Sequence, residues 1–202
     1  MQFTFAPDFA VNDSSCLAVT GKTLPQWFAH LEQAGLASKR REAIALMYDE
    51  TGRGKDTWWA TTVWVEFERA RGVVQRDGRP EGYNLCCTKS FKRTPAEIYP
   101  FFSSEAQVAQ WVDGWQGALT AGASFACGPC QGTVGRIRPA KDIRLAWQSP
   151  GFGATDVEIQ FNEMGGKTTV NIYHKRIASR DEADGLRRAW SGALDKLKGL
   201  VG

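Results

Sequence analysis

The segment SFACGPCQG places Cys127 and Cys130 at the spacing of a thioredoxin active site, Cys-Gly-Pro-Cys. Such a site needs its first cysteine at the N-terminus of a helix that follows a strand, because backbone N–H groups there stabilise the thiolate. The residues after Cys130, QGTVGRIR, have the pattern of a strand with glycines. The sequence therefore favours a turn at Gly128-Pro129 over redox chemistry, and a reversible disulfide between the two cysteines is the alternative.

A zinc site is the other chemistry that the five cysteines suggest. Cys86 and Cys87 are adjacent, and adjacent residues of a strand point to opposite faces, so at most one of them can join the later pair. Zinc sites with four thiolates usually take two spaced pairs, and only one pair here is spaced. The cysteine pattern also differs from a secreted disulfide framework, which predicts reduced thiols. We predict no metal and no cofactor.

The chain has two histidines, His30 and His174, and neither has a second histidine or a nucleophile near it in sequence. We expect each of them to be a surface or a packed side chain. A hairpin at the glycine pair 165–166 would place Glu158 opposite Tyr173, with His174 on the other face of the sheet. This pattern is too loose to predict catalysis.

Residues 1–72 have the pattern of a small helical bundle. Four short helices are predicted: Asp13–Thr20, one that begins after Thr23, Ser38–Thr51, and one that is capped by Asp56 and ends at Gly72. Thr23 and Gln26 form a capping box at the start of the second helix. The segment VVQRDGRPEG then disfavours both helix and strand, so residues 73–83 are predicted to be a linker.

Residues 84–202 change to an alternating pattern. A first strand carries Leu85, Cys87 and Phe91, and the tetrapeptide TPAE at 94–97 begins a short helix. Later, Asp156–Asn162 alternates apolar and polar residues and is predicted to pair with Thr168–Ile177.

The last helix begins with a predicted capping box, Ser179 and Glu182. An apolar stripe follows along Ala183, Leu186, Trp190, Ala193, Leu194, Leu197 and Val201. The predicted fold class is α+β, with a small N-terminal helical bundle followed by a curved antiparallel sheet packed on a long C-terminal helix.

Three phrases of the second region, CCTKSFKRTPAEIYPFF, AQWV and RRAWSGALDKLKGLV, resemble the START-like (SRPBCC, helix-grip) superfamily. Within it, the chain is similar to the homologues of the activator of the heat-shock-protein-ninety ATPase. It departs from that pattern at residues 120–123, TAGA, where the family usually has Gly-Gly. The phrases TGKTLPQWFAHLEQAGL and WWATTVWVEFERARG resemble an uncharacterised helical family that in bacterial proteins precedes such a domain.

The resemblance implies a hollow between the sheet and the last helix, and the aromatic residues of this region suit an apolar or aromatic ligand there. Arg136 and Arg144 are candidate polar anchors. A solid core without a pocket is the alternative. The candidate ligand-binding residues are Phe101, Trp111, Trp115, Phe125, Arg136, Arg144, Trp147, Phe161, Tyr173 and Trp190.

The leading hypothesis is a non-enzymatic binding protein for a small apolar or aromatic molecule. A protein-interaction module, like the chaperone ATPase activators, is the second hypothesis and predicts a filled core and an exposed apolar patch. A cyclase-like or hydrolase-like enzyme is the third, and it requires an acid/base pair inside an open cavity.

Charge and hydropathy exclude other classes of partner. The net charge is +3, and the last predicted helix of the first region, which ends in FERARG, has no basic face that would suit DNA bases, so we expect no nucleic acid. The sequence contains no run of eighteen apolar residues and does not begin with a signal peptide, so we expect no membrane span and a cytoplasmic location.

Overall fold

The structure is a computed structural model that describes residues 1–52 and 58–202. The described chain divides into two compact units, residues 7–83 and residues 1–6 with 84–202. The sequence-based division at residues 72 and 84 did not group the first six residues with the sheet.

Four helices make up the described part of the first unit: α1 Asp13–Thr20, α2 Leu24–Gln33, α3 Arg40–Thr51 and α4 Trp58–Ala70. Thr23 and Gln26 form the predicted capping box at α2. The proposed cap Asp56 lies outside the described residues. The helices pack around a core of Cys16, Trp27, Leu31, Ala43, Met47, Trp59, Ala60, Val63, Trp64 and Phe67.

Seven strands of the second unit form one sheet in the order β1-β7-β6-β5-β4-β3-β2, counted over the described residues. The strands are β1 Tyr83–Phe91, β2 Trp115–Gln116, β3 Ser124–Cys127, β4 Cys130–Arg138, β5 Asp142–Gln148, β6 Ala154–Met164 and β7 Lys167–Ile177. The ladders from β2 through β7 are antiparallel. The predicted hairpin pairing is confirmed, since Glu158 lies opposite Tyr173.

Short elements connect β1 to β2. They are α5 Pro95–Ile98, a 3₁₀ helix over Tyr99–Phe102 and α6 Glu105–Val108. The predicted capping box is present at α5, where the Thr94 N–H donates to the Glu97 carboxylate over 2.8 Å. These pieces are too short to be stable alone, so they depend on the side chains that they bury, Ile98, Phe102 and Val108.

The long helix α7, Arg180–Val201, buries its predicted apolar stripe. On β6 and β7 the inward residues alternate with outward ones, as at Val157, Ile159 and Phe161. The predicted α+β fold, with a curved antiparallel sheet and a long C-terminal helix, is confirmed.

The predicted capping box at the start of α7 is only half formed. The Ser179 hydroxyl accepts the Glu182 N–H at 3.3 Å, as an N-cap does. The Glu182 carboxyl does not return to the cap, because it is fully buried inside the unit and has no hydrogen-bond partner among the described residues.

Residues 1–6, which we call the N-terminal strap, lie across the second unit. Phe3 packs on Trp147 with ring centroids 6.1 Å apart, and Phe5 meets Phe152 at 5.4 Å. The Arg188 guanidinium donates to the carbonyl oxygens of Thr4 at 2.8 Å and Ala6 at 2.7 Å. The strap is therefore part of the surface that covers α7.

Candidate functional site

The space between the sheet and α7 is an apolar pocket. Trp111 and Trp115 form one side, and Trp190 of α7 forms another. Its free volume is about 10 Å³, close to what one water molecule needs. The full lining is Phe102, Val108, Trp111, Val112, Trp115, Leu119, Ile143, Leu145, Ile159 and Trp190.

Six of the candidate ligand-binding residues are buried inside this unit. Trp111, Trp115 and Trp190 line the pocket, while Phe125, Trp147 and Phe161 extend its ring network. The closest ring pairs are Trp115 with Phe125 at 4.5 Å, Phe102 with Trp111 at 4.7 Å, Phe102 with Phe161 at 4.9 Å and Trp147 with Trp190 at 5.3 Å. Phe101 is half-buried, and its carbonyl accepts from the Trp111 indole at 2.9 Å.

The other three candidates lie on the outer face of the sheet. Arg136 donates to the Asp142 carboxylate at 2.9 Å, and Arg144 donates to Glu158 at 3.0 Å. Tyr173 lies outside as well, under the Lys175 ammonium. Their assignment to a ligand stays a prediction, and the geometry does not bring them to the pocket.

His174 is the polar group of the interior. The Trp190 indole N–H donates to His174 Nδ1 at 3.1 Å, so the neutral ring carries its proton on Nε2. Nε2 then donates to Thr155 Oγ1 at 2.8 Å, and the Thr155 hydroxyl donates to the Trp147 carbonyl at 3.3 Å. Burial lowers the pKa of His174 to about 3, which keeps the ring neutral. The predicted packed histidine is confirmed.

Residues 92–202, more than half of the chain, match the sequence model of the family described as Activator of Hsp90 ATPase homolog 1-like protein. The chain belongs to this family. The match includes α7 and every strand except β1. The resemblance inferred from the sequence is thereby confirmed.

Solved structures share the fold of this Hsp90-activator-like domain. CalU16 from Micromonospora echinospora aligns with a TM-score of 0.54 and 20% identity, over 59% of this chain and 76% of its own. The Aha1 dimer from Colwellia psychrerythraea gives 0.52 and 17%, over 59% and 96%. PFC0360w from Plasmodium falciparum, an HSP90 activator, gives 0.50 and 19%, over 60% and 97%. At these identities the likeness shows the fold alone, and a search of the curated proteins finds no match.

A second polar cluster of the Hsp90-activator-like domain lies around Glu182. Burial raises the pKa of its carboxyl to about 7, and the neighbouring Ser149 hydroxyl offsets only part of that rise. Ser149 Oγ also accepts from the Trp147 indole at 3.2 Å. Glu182 in turn raises the pKa of the Cys130 thiol, so the three groups are neighbours.

The interior position of Glu182 was not predicted, because its place three residues after Ser179 matches a capping box. Another signal was present. Glu182, Leu186 and Trp190 are spaced by four, which places the carboxyl on the buried stripe of the helix. Thr155 and Ser149 gave no signal of this kind, because their partners are distant in sequence.

The CGPC segment of this domain is the predicted turn. Cys127 and Cys130 are directly opposite each other on β3 and β4, and Gly128 takes a φ of 58° between them. Burial is the main cause that raises the thiol pKa values, to about 12 for Cys127 and about 11 for Cys130. Both are therefore protonated and unsuited to thioredoxin-type attack at neutral pH.

Over residues 1–52 and 58–202, no helix has the length and apolar character needed to cross a bilayer. Within those same ranges, no group of three or more His, Cys, Asp or Glu side chains is placed to hold a metal ion.

Proposed function

We propose that residues 84–202 bind a small apolar or aromatic molecule between the sheet and α7. The wholly apolar lining of the pocket carries this proposal, since such a lining holds apolar ligands by burying their surface. The chain's membership of a family whose fold encloses this region is in agreement with it.

A ligand has to enlarge the pocket, because its free volume of about 10 Å³ holds no organic molecule. The wall most suited to move is built from the 3₁₀ helix, α6 and the segment with Leu119. These pieces are short, whereas the opposite walls are long strands and α7. Short elements with few backbone bonds open at a lower free energy than core strands do.

Calorimetric titration with a panel of fatty acids, flavonoids and polyketides tests this proposal. We expect saturable binding to the wild-type protein. Leu119→Trp, which fills the pocket, weakens that binding by roughly tenfold or more, and Leu200→Trp on the exposed side of α7 leaves it unchanged. Equal effects of both variants, or no binding by any ligand, would contradict the proposal.

A protein-interaction module is the second candidate, and the nearly filled pocket favours it. Exposed apolar side chains are also present on α1, at Leu17 and Val19. In this candidate function, added protein stimulates the ATPase of an Hsp90 chaperone, in line with the description of the matched family and with PFC0360w, which is an HSP90 activator. Stimulation that survives Leu119→Trp and is lost in Leu17→Asp would favour it over ligand binding.

An enzyme of cyclase or hydrolase type ranks third. His174 and Thr155 are hydrogen-bonded like a base and a nucleophile, but the tautomer fixed by Trp190 leaves the proton on Nε2. That nitrogen donates to the hydroxyl and cannot accept its proton.

The domain limits at 72 and 84, the cytoplasmic location and the absence of a cofactor stay predictions.

A further inference from the structure

Glu182 is a carboxyl group without a partner in a place where such a group is costly. The residue is 0% exposed, neither oxygen has a hydrogen-bond partner in good geometry among the described residues, and the neighbouring Ser149 hydroxyl compensates only in part for the burial. A buried polar group in this condition destabilises the fold unless something pairs with it. Arg180, also buried on the first turn of α7, is bonded to Asp184 at 3.2 Å. The two oxygens of the Glu182 carboxyl can therefore still accept hydrogen bonds from a ligand.

Three elements meet around this carboxyl, and the N-terminal strap touches each of them beside it. On the β3–β4 turn, the Phe3 ring lies within 3.5 Å of where a side chain on Gly128 would begin, two residues from Cys130. On the β5–β6 loop, Phe5 contacts Phe152, whose N–H bonds to the Ser149 carbonyl.

The third contact of the strap is on α7, one helical turn after Glu182. A side chain at Gly185 would begin 2.7 Å from the Thr4 carbonyl oxygen and 3.0 Å from the Phe5 ring. The strap therefore covers the turn, the loop and the helix that together contribute Cys130, Ser149 and Glu182.

The strap is held in a way that permits displacement. The carbonyl oxygens of Thr4 and Ala6 accept from a single side chain, Arg188, and the Met1 ammonium donates to the Asp113 carbonyl at 2.7 Å, so these polar contacts of the strap lie on exposed or half-buried groups near its two ends. A cleft of about 340 Å³ runs along one side of it, between Gln2, Thr4 and the α7 residues Ala189 and Gly192. The cation of the strap, the Met1 ammonium, pairs with the Asp113 carboxylate at 3.4 Å, and residues 2–6, QFTFA, contain no ionisable side chain that could pair with Glu182.

We propose that the strap is a displaceable cover over a polar binding site, and that a ligand carrying a cationic amine next to an aromatic ring takes its place. The ammonium group of the ligand pairs with the Glu182 carboxylate and donates a hydrogen bond to the Ser149 hydroxyl oxygen. The aromatic ring replaces Phe3 and Phe5 against Trp147 and Phe152. This inference goes beyond the proposed small-molecule binding, because the site lies beneath the strap and not in the apolar pocket.

Gly185→Ala is the sharpest test, because the added methyl group meets the strap and leaves the helix intact. Gly199→Ala is the matched control, since a side chain there meets nothing within 4 Å on the same helix. The double variant Phe3→Ala/Phe5→Ala removes the strap's rings without altering α7. The two routes are independent, so misfolding of one leaves the other as a test.

The probes are 2-naphthylmethylamine and the neutral 2-naphthylmethanol, each titrated by calorimetry at about pH 8, where the carboxyl is ionised. We expect the amine to bind Gly185→Ala roughly tenfold more tightly than it binds the wild type or Gly199→Ala. We also expect Gly185→Ala to prefer the amine over the alcohol, and Gly185→Ala/Glu182→Gln to lose that preference.

Equal binding of the two probes to Gly185→Ala, or an amine preference that survives Glu182→Gln, overturns the inference and leaves the proposed function standing. Failure of both probes to bind any strap variant also overturns it. The Leu119→Trp titration decides the proposed function separately, because that substitution lies in the apolar pocket and not beneath the strap.

Discussion

Glu182 illustrates how one buried side chain can govern the pH dependence of stability. Its carboxyl has a pKa of about 7 in the folded chain, against an ordinary value of about 4.5 when it is solvated. Between these two values the unfolded chain releases the proton while the folded chain keeps it. The free energy of unfolding therefore falls as the pH rises from about 4.5 to about 7, and the loss is complete above that range.

Glu182→Gln removes this loss, because an amide of the same shape has no proton to release. We expect the variant to equal the wild type in stability near pH 4 and to exceed it by about 2–3 kcal/mol at pH 8. Urea unfolding at both pH values measures the difference. Glu163→Gln, at an exposed position of β6, is the control and should change neither value. A Glu182→Gln curve parallel to the wild type across the range would show that the carboxyl is solvated.

The cysteines differ from one another in exposure. Cys86 is exposed on β1, whereas Cys16, Cys87, Cys127 and Cys130 are buried and free. Burial raises the pKa of each of these four thiols, and the thiol form does not react.

A thiol-labelling experiment should therefore distinguish the exposed Cys86 from the four buried cysteines by their rates of reaction. With an aromatic disulfide reagent at about pH 8, we expect one fast equivalent from the folded wild type and none from Cys86→Ser. The remaining thiols should react only at the rate of unfolding, and all should react in denaturant. Fast reaction of Cys127 and Cys130 would instead indicate that the CGPC turn is accessible.

Among the elements, β4 shows how a glycine permits close packing. A side chain at Gly132 would begin 2.1 Å from the Ala146 carbonyl oxygen and 2.6 Å from the Phe125 ring. The ring lies over this strand and stacks on Trp115 at 4.5 Å, so the aromatic layer depends on the missing side chain.

Gly132→Ala should push away both the Ala146 backbone and the Phe125 ring and destabilise the fold by about 1–3 kcal/mol, as overpacking of a core does. Gly153→Ala is the matched control, because a side chain there meets nothing within 4 Å and its φ is not positive. We expect the control to lie within about 0.5 kcal/mol of the wild type in urea unfolding. A Gly132→Ala variant as stable as the control would mean that β5 and the Phe125 ring do not lie this close to Gly132.

For the whole molecule, Glu182 and His174 titrate with opposite consequences. His174 has a pKa of about 3 in the folded chain and about 6.5 when solvated, so the unfolded chain binds a proton first as the pH falls. Stability is therefore lost below about pH 6.5 from His174 and above about pH 4.5 from Glu182. Ion-paired carboxylates with lowered pKa values, such as Asp142 and Glu158, add to the loss on the acid side.

We expect a maximum in stability at mildly acidic pH, and His174→Leu should flatten its acid side. The variant should also lose about 2–4 kcal/mol near pH 6, because Trp190 and Thr155 are left without their buried partner. His30→Leu removes a partly exposed hydrogen bond to Glu50, and as the control it should cost less than about 1 kcal/mol. Unfolding curves across the pH range measure both effects. An unchanged acid side in His174→Leu would mean that the ring is accessible to water.

Local patterns were sufficient to predict several helices and one hairpin of this protein. Capping boxes at Thr23 and at Thr94 begin helices where the sequence predicts them, and the glycine pair 165–166 sets the register that pairs Glu158 with Tyr173. These signals are reliable because each one depends on residues a few positions apart, whose backbone hydrogen bonds are decided locally.

Only the tertiary structure decided which of the candidate residues share one interior. Arg136 and Arg144 belong to the same strands as the aromatic core, yet their side chains alternate to the outer face and pair with Asp142 and Glu158. Glu182 shows the opposite case, because its position suits a helix cap and yet its carboxyl lies in the interior. Its surroundings come from a turn, a loop and the N-terminal strap, and contacts between segments so distant in the chain depend on how the whole unit packs.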